Sequence, residues 1–509
     1  MVFVSVFLFL ALQQGQALLR DGDTGHHIRA GEFIIQNWTI PERDIFSFRS
    51  PPIPWVAHEW LSEVIMALVH SVSGLTGIVI FFSFFIAIAY LLLFRMVRQE
   101  SRDVLLAALI VCFAAISSKL HWLARPHVFS LALTVIWYHL LNDFQYRQKN
   151  RLFLLPLLIL LWVNLHGGYI LGIVLLGIYG VGNLMAVITA RGANAEHFLQ
   201  NAKSLLLVMI VCILVSMINP QGYRILLFPF KVTSDTFLMD HVQEYFSPDF
   251  HQPLPFKYLL LLLIAILALS RSTLNWIELF LILTFTYMAL YSVRYIPLFA
   301  IITSPILIRL IDQMKLCLPT KVSEFLDERR MRLSQIEGQT SGYFWSIVVL
   351  SAVVSLGAVG SYQYKFSEEF HPVSAVQFLM KENIVGNTFT HDEFGDYLIY
   401  AAWPQHKVFI DGRADMYGAD RMKEYLTLAH AVPGWKEIID KYAFSSILFD
   451  THSPLSSALT DDINWHLVYS DPVASIFLRK DGRNHHLIDK YPHVTLSVDE
   501  NKTSNSDPR

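Results

Sequence analysis

Apolar runs long enough to cross a bilayer recur along this chain, and no other feature narrows its possible folds so far. Within hydrocarbon every backbone amide must be satisfied inside the spanning element, which leaves helices or a closed barrel. A helical span needs about 20 predominantly apolar residues. About eleven such runs are found, some near the lower length limit: 2–19, 77–97, 104–118, 127–143, 152–165, 170–190, 203–218, 257–270, 275–293, 295–311 and 342–363. Only Arg294 separates the pair 275–293 and 295–311. Composition agrees: charged residues make up 16% of the chain, where soluble domains carry about 25%. The expected fold is a polytopic α-helical membrane protein, with the amphipathic stretch 60–72 lying as a helix in the interface.

Lysine and arginine placement sets the expected orientation. Alternating loops carry Arg95, Arg98 and Arg102; Arg147, Lys149 and Arg151; Arg191 and Lys203; Arg271; and Arg309, Lys315, Lys321, Arg329, Arg330 and Arg332. These loops are expected in the cytoplasm, which puts 20–59, 119–126, 166–169, 219–256 and everything after 363 outside. The first run lacks a basic leader and is interrupted by Gln13, Gln14 and Gln16, so it reads as a retained anchor rather than a signal peptide. Cys112, Cys212 and Cys317 lie in or beside spans, leaving no disulfide framework and no Cys/His metal spacing. The net charge of −3 selects no partner.

The expected domains are a membrane domain over 1–363, a soluble domain over 370–490 and a frayed tail over 491–509. The soluble domain alternates in pattern. Helices are expected at 372–382, 420–430, 434–443 and 453–460, and strands at 387–390, 407–410, 445–449, 465–469 and 473–479. That alternation suggests a small α/β fold with a largely parallel sheet. Lys407-Val-Phe-Ile-Asp411-Gly412-Arg413 reads as a buried strand ending in a polar turn, the place where α/β sheets usually hold ligands. Loop 219–256, long and without clear secondary structure, reads as a functional lid.

Candidate chemistry begins in the polar segment after the first run, where Asp21, Asp23, His26, His27 and Arg29 fall close together. Ionisable groups held against a membrane are costly, so such a cluster is a site hypothesis; the alternative is a solvated loop. Asp21 and Asp23 can jointly ligate a hard divalent cation, or one can act as general base. His58 and Glu59 open the interfacial helix, with Glu63 on the same face as Glu59. Either Glu59 and Asp23 converge on one pocket, or the acids simply favour a helix N-terminus. Lys119 and Arg125 suit a phosphate or diphosphate group, and His166 is either a phosphate contact or a hydrogen-bonded structural group. Arg294, isolated between apolar segments, calls for an anionic partner. Asp411, Arg413 and Asp415 read as substrate-binding groups or as an internal Arg–Asp pair fixing a turn, and Asp44 as a turn residue.

This plan resembles the GT-C class of membrane glycosyltransferases, which take sugars from polyprenyl-phosphate or polyprenyl-diphosphate carriers. The likeness lies in the many spans, in Asp21-Gly-Asp23 soon after the first helix, in loop 219–256 as a mobile loop over the donor, and in a soluble domain after the last span. Phe394-Gly395-Asp396-Tyr397, followed by Val408-Phe-Ile-Asp411-Gly412-Arg413, resembles a degenerate WWDYG segment of the oligosaccharyltransferase catalytic subunit. The paired tryptophans are missing, and loop 119–127 holds no second acidic motif. The chain also has the general look of a bacterial membrane-protein group carrying the Asp-Gly-Arg-x-Asp turn. The resemblance implies an enzyme of the inner (cell) membrane with an extracytoplasmic α/β domain. Its implied partners are a lipid-linked sugar donor, membrane lipids and an extracytoplasmic glycan, lipid or protein acceptor, with no nucleic acid. Its implied cofactor is a divalent cation, Mg²⁺ or Mn²⁺, on Asp21 and Asp23. Asp23 would be base or metal ligand, Asp21 and Glu59 its helpers, and Arg125, Arg294, Lys119 and His166 donor-phosphate contacts. His26, His27, Arg29, His58, Asp411 and Arg413 would contact substrate. A lipid-linked sugar transporter and a noncatalytic scaffold presenting the α/β domain are the competing readings. A transporter should show broken or charged mid-membrane segments in paired halves; here the polar groups gather at one face.

Overall fold

The computed structural model describes residues 2–101, 103–270, 273–315 and 343–497. Arg102, Arg271, the basic segment holding Cys317, Lys321, Arg329, Arg330 and Arg332, and the tail beyond 497 lie outside the described residues. Contacts divide the chain into two compact units, 1–15 with 77–363 and 16–76 with 364–509. The contacts divide the chain at 363/364 and also at 15/16 and 76/77, because the first polar loop packs with the C-terminal segment.

The first unit is helical. Trp60–Glu100 (which enters this unit at Gly77), Val104–His121, Gly167–Thr189, Ala193–Ser216 and Val293–Met314 are long and apolar enough to cross a membrane. Shorter apolar helices include Leu154–Leu165, Pro255–Leu269, Trp276–Tyr291 and Phe344–Ala358. Their starts follow local chemistry. The Asp103 side chain accepts from Leu106 N at 3.0 Å, Asn275 and Glu278 form a capping box, and Pro255 occupies the first turn of its helix, where its missing N–H is no loss. Arg294 stands in a 3₁₀ turn, Val293–Tyr295, between two helices. The first apolar run is not one helix: Val2–Leu8 passes into a π-helical turn, Phe9–Gln13, and restarts at Gly15, the break falling at the glutamines. Phe3, Phe7 and Ala11 pack against Ala87 and Val353. Helices His127–Arg147 and Ile170–Thr189 are joined by polar pairs that satisfy one another away from lipid, Tyr179 to Asn142 and Asn183 Nδ2 to Gln145 Oε1 at 2.8 Å. Loop 219–256 is not irregular. It contains helices Arg224–Ser234 and Thr236–His241, the second capped by Asp235, and a 3₁₀ turn Gln243–Tyr245.

The second unit joins helix Asp23–Asn37 and the first part of the Trp60–Glu100 run to a small sheet. That run is two helices merged at Gly74, whose φ of 58° and ψ of −155° are non-helical, so the amphipathic stretch 60–72 ends where sequence placed it. Strands β1 (Asn387–Thr390), β2 (Phe444–Asp450), β3 (Trp465–Ser470) and β4 (Ala474–Arg479) order as β1-β2-β4-β3. Only β1 and β2 pair in parallel, against the largely parallel sheet expected. The link between β3 and β4 is too short for a parallel crossover, and Asp471 closes it by accepting from Val473 N and Ala474 N, both at 2.8 Å. In the expected strand 407–410, Val408, Phe409 and Ile410 are buried but lie outside the sheet. Val408 bonds instead to the first loop, through Phe48 N to Val408 O and Val408 N to Phe46 O, both 3.1 Å. Its apolar character reflects burial, not strand pairing. Phe389 and Phe449 stack at 5.4 Å beside Phe409 and Phe444 in the core under the sheet.

Candidate functional site

Helix Asp23–Asn37 starts with Asp21, whose Oδ1 accepts from Asp23 N at 2.9 Å. Two glycines on one face let it approach helix Asp392–Ala402 closely. A methyl at Gly25 would lie 2.8 Å from Tyr400 Cβ, and one at Gly22 would lie 2.7 Å from Glu393 O. The approach sets His26 Nδ1 2.7 Å from Asp396 Oδ1 and 3.8 Å from Asp23 Oδ1, with all three residues buried. Gly412 N donates to Asp396 Oδ2 at 2.9 Å, and a side chain there would collide with Asp23 Oδ1. Burial first, then the neighbouring charges of Asp23 and Asp411, push the Asp396 carboxyl well above the usual range.

Glu59 lies beside this cluster. It joins a second one through His27, whose Nε2 lies 3.7 Å from Glu59 Oε2 and whose Nδ1 lies 3.4 Å from Glu63 Oε1. Burial opposes a charge on His27, but Glu63 and Glu59 outweigh it and hold its pKa above the ordinary value. The His26 and His27 rings are 4.1 Å apart, and the charges of both Glu59 and Asp23 act on His27, so the two clusters adjoin.

Several other expected contacts have structural partners. Arg29 bonds Glu32 Oε2 at 2.6 Å and the Tyr400 carbonyl at 2.8 Å, and His58 Nδ1 lies 3.1 Å from the Val56 carbonyl. Arg413 grips Asp411 through Nε at 2.8 Å and Nη2 at 2.6 Å, and reaches Asp44 Oδ1 at 2.8 Å. Its guanidinium lies 4.5 Å from the centre of the Trp55 ring. The turn is held by an internal Arg–Asp pair, the alternative considered from sequence, while Asp415 lies in the first turn of the following helix.

Arg125 and Arg294, in the first unit, meet on the Glu244 carboxylate of loop 219–256. Arg125 donates to Glu244 Oε1, and Arg294 Nη1 lies 3.7 Å from Glu244 Oε2 and 3.3 Å from the Tyr245 hydroxyl. Burial would raise the Glu244 pKa, but Arg125 and Arg294 dominate and drive it far below the usual range. The loop is registered there by Ser292 Oγ to Glu244 O at 2.8 Å and Val293 N to Phe246 O at 2.9 Å. His121 Nε2 lies 3.0 Å from the Val293 carbonyl. Lys119 sits over the Phe9 ring at 5.6 Å. His166 lies 2.8 Å from Ser130 Oγ and accepts from Gly168 N at 2.9 Å, closing its own turn. A separate cavity of about 320 Å³, lined by Glu100, Asn275, Glu278 and Arg309 among others, has its charges paired internally, Arg309 to Glu278 at 2.7 Å and Arg147 to Glu100 at 2.5 Å.

No protein-family model and no curated protein sequence matches this chain. Solved structures do. The oligosaccharyltransferase of Archaeoglobus fulgidus in its apo form matches with a TM-score of 0.54 at 10% identity, over 94% of this chain and 74% of that one. The AglB oligosaccharyltransferase of the same organism, in complex with an inhibitory peptide and a dolichol-phosphate, matches at 0.53 and 10%, over 88% and 69%. ArnT from Cupriavidus metallidurans, bound to undecaprenyl phosphate, matches at 0.50 and 12%, over 93% and 97%. The fold is similar to that of these oligosaccharyltransferases and of ArnT.

Proposed function

We propose that this chain is an integral-membrane glycosyltransferase that moves a sugar from a polyprenyl-phosphate or polyprenyl-diphosphate carrier to an extracytoplasmic acceptor. The observation carrying this reading is the fold likeness along nearly the whole chain to AglB and ArnT, which were captured with polyprenyl-type phosphates. Fold alone does not fix chemistry, so the roles rest on residues. Arg125 and Arg294 are assigned to the donor phosphate. Glu244 holds both guanidiniums, so it stands where a phosphate oxygen would be bound and must give way to the donor. Asp23 is assigned to acceptor activation, with Asp21 and Glu59 assisting. Lys119, His166, Arg29, His58, Asp411 and Arg413 leave this list, because their contacts explain them without a substrate.

A divalent cation held by Asp23 would polarise the acceptor oxygen when bound. The finer topology of this reading has about eleven spans, an extracytoplasmic C-terminal unit and a place in a bacterial inner membrane. The test is sugar transfer from a panel of polyprenyl-linked donors in nanodiscs, with folding checked by thermal melting. Undiminished turnover in well-folded Asp23→Asn and Arg294→Ala proteins would remove the assignment.

A further inference from the structure

We infer that Asp23, His26 and Asp396 together form a three-ligand site for a borderline transition metal, Zn²⁺ ahead of Mn²⁺, rather than a carboxylate pair for Mg²⁺. The sequence offered Asp21 with Asp23, but Asp21 bonds the start of its own helix. The ligand atoms that converge, all within 4.8 Å of one another, belong to Asp23, His26 and Asp396.

Three observations support an ion. First, the donor set is mixed, and an imidazole beside two carboxylates favours Zn²⁺ over Mg²⁺, which prefers all-oxygen shells with retained water. Second, the spacing is close to what an ion needs. Tetrahedral zinc with bonds near 2.0 Å separates its ligands by about 3.3 Å. The separations from His26 Nδ1 are 2.7 and 3.8 Å, so for these two pairs an ion requires shifts of about half an ångström. Third, the surroundings are shaped around the carboxylates. Gly412 leaves room for Asp23 Oδ1 where any side chain would collide, and its N–H fixes Asp396 Oδ2 from outside the ligand set, as outer hydrogen bonds orient metal ligands. Two buried carboxylates crowd one another here, and burial of such charge needs a cation. Three protein ligands would leave a fourth position for water or substrate, as in catalytic rather than structural zinc sites.

The site shares Asp23 with the proposed function and rests on that reading for its role, but it stands on donor geometry, so its test uses binding rather than turnover. The full chain, purified in detergent and stripped with a chelator, is titrated with Zn²⁺, Mn²⁺ or Mg²⁺. Thermal melting and metal content after desalting are the readouts. The expected result is about one retained Zn²⁺ per chain, a rise in melting temperature with micromolar Zn²⁺ and none with millimolar Mg²⁺. Asp396→Asn and His26→Gln should each weaken zinc binding at least about tenfold, since ligand removal costs more than the 10–100-fold typical of outer-shell changes. A cooperative wild-type melt with no retained ion and no metal-dependent shift overturns the site. So does zinc binding that persists undiminished in both variants. If Asp396→Asn does not fold, His26→Gln and the wild-type metal content decide.

Discussion

Glu244→Gln isolates the carboxylate that stands between Arg125 and Arg294, and its effect follows from the distances. Arg125 bonds one oxygen, and Arg294 Nη1 lies 3.7 Å from the other. A pair of unit charges near that distance interacts by about 4 kcal/mol in an effective dielectric of 20. The Arg294 and Glu244 side chains are 32% and 31% exposed, and at that exposure screening reduces the net value to about 1 kcal/mol. The main-chain bonds that register this segment, Ser292 Oγ to Glu244 O and Val293 N to Phe246 O, do not involve the carboxylate, so glutamine leaves the loop in place. With the competing charge gone, the two guanidiniums are available to a phosphate. Affinity for undecaprenyl phosphate should rise roughly fivefold, since 1.4 kcal/mol is a factor of ten. Arg125→Ala should lower it by tenfold or more, because a charge-assisted hydrogen bond contributes about 1.5–3 kcal/mol. The assay is a ligand titration in detergent read by thermal melting, with wild type and both variants side by side. Weaker lipid-phosphate binding by a folded Glu244→Gln protein would refute the stand-in argument and make Glu244 a contact of the substrate itself.

Asp23→Asn should reduce sugar transfer by about 10²–10⁴-fold, the usual loss with a general base, and Glu59→Gln by less, because Glu59 sits in the neighbouring His27 cluster; turnover in nanodiscs measures both. Arg413→Ala should lower stability by about 3–5 kcal/mol, since it leaves Asp44 and Asp411 buried and uncompensated, and an unchanged melting temperature would contradict the network. The pH response of that network has a definite sign. Burial opposes ionisation of Asp44, but Arg413 and the Ser47 and Phe46 contacts depress its pKa below 3.8, so its contribution is fully present above about 3.8 and is lost as pH falls through the lower folded value. Acid melts of wild type and Asp44→Asn should therefore converge only at low pH. Finally, a cysteine at Ile463, 81% exposed, in a background lacking the native cysteines, should react with a membrane-impermeant thiol reagent in intact cells without an outer barrier. Labelling only after lysis would reverse the proposed orientation.

The sequence by itself determined the class of molecule, because an apolar run in lipid has no choice but to satisfy its own backbone as a helix. The end of the amphipathic helix near Gly74 was legible. The importance of the segment around Asp23 was also legible, from the density of ionisable groups beside an apolar run. Tertiary structure alone decided which of those groups meet. His26 and Asp396 are 370 residues apart in sequence and 2.7 Å apart in space, through a close helix contact that Gly22 and Gly25 permit. No spacing rule connects such positions. The same holds for Glu244, which is one acid among many in its loop until Arg125 and Arg294 are brought to it. Residues 407–410 misled for a related reason: Val408, Phe409 and Ile410 are buried, and apolarity reports burial without saying whether the neighbour is a strand. The parallel sheet failed at the Asp471 turn, where a short polar link, and not the alternation of helix and strand, fixed the direction of β4.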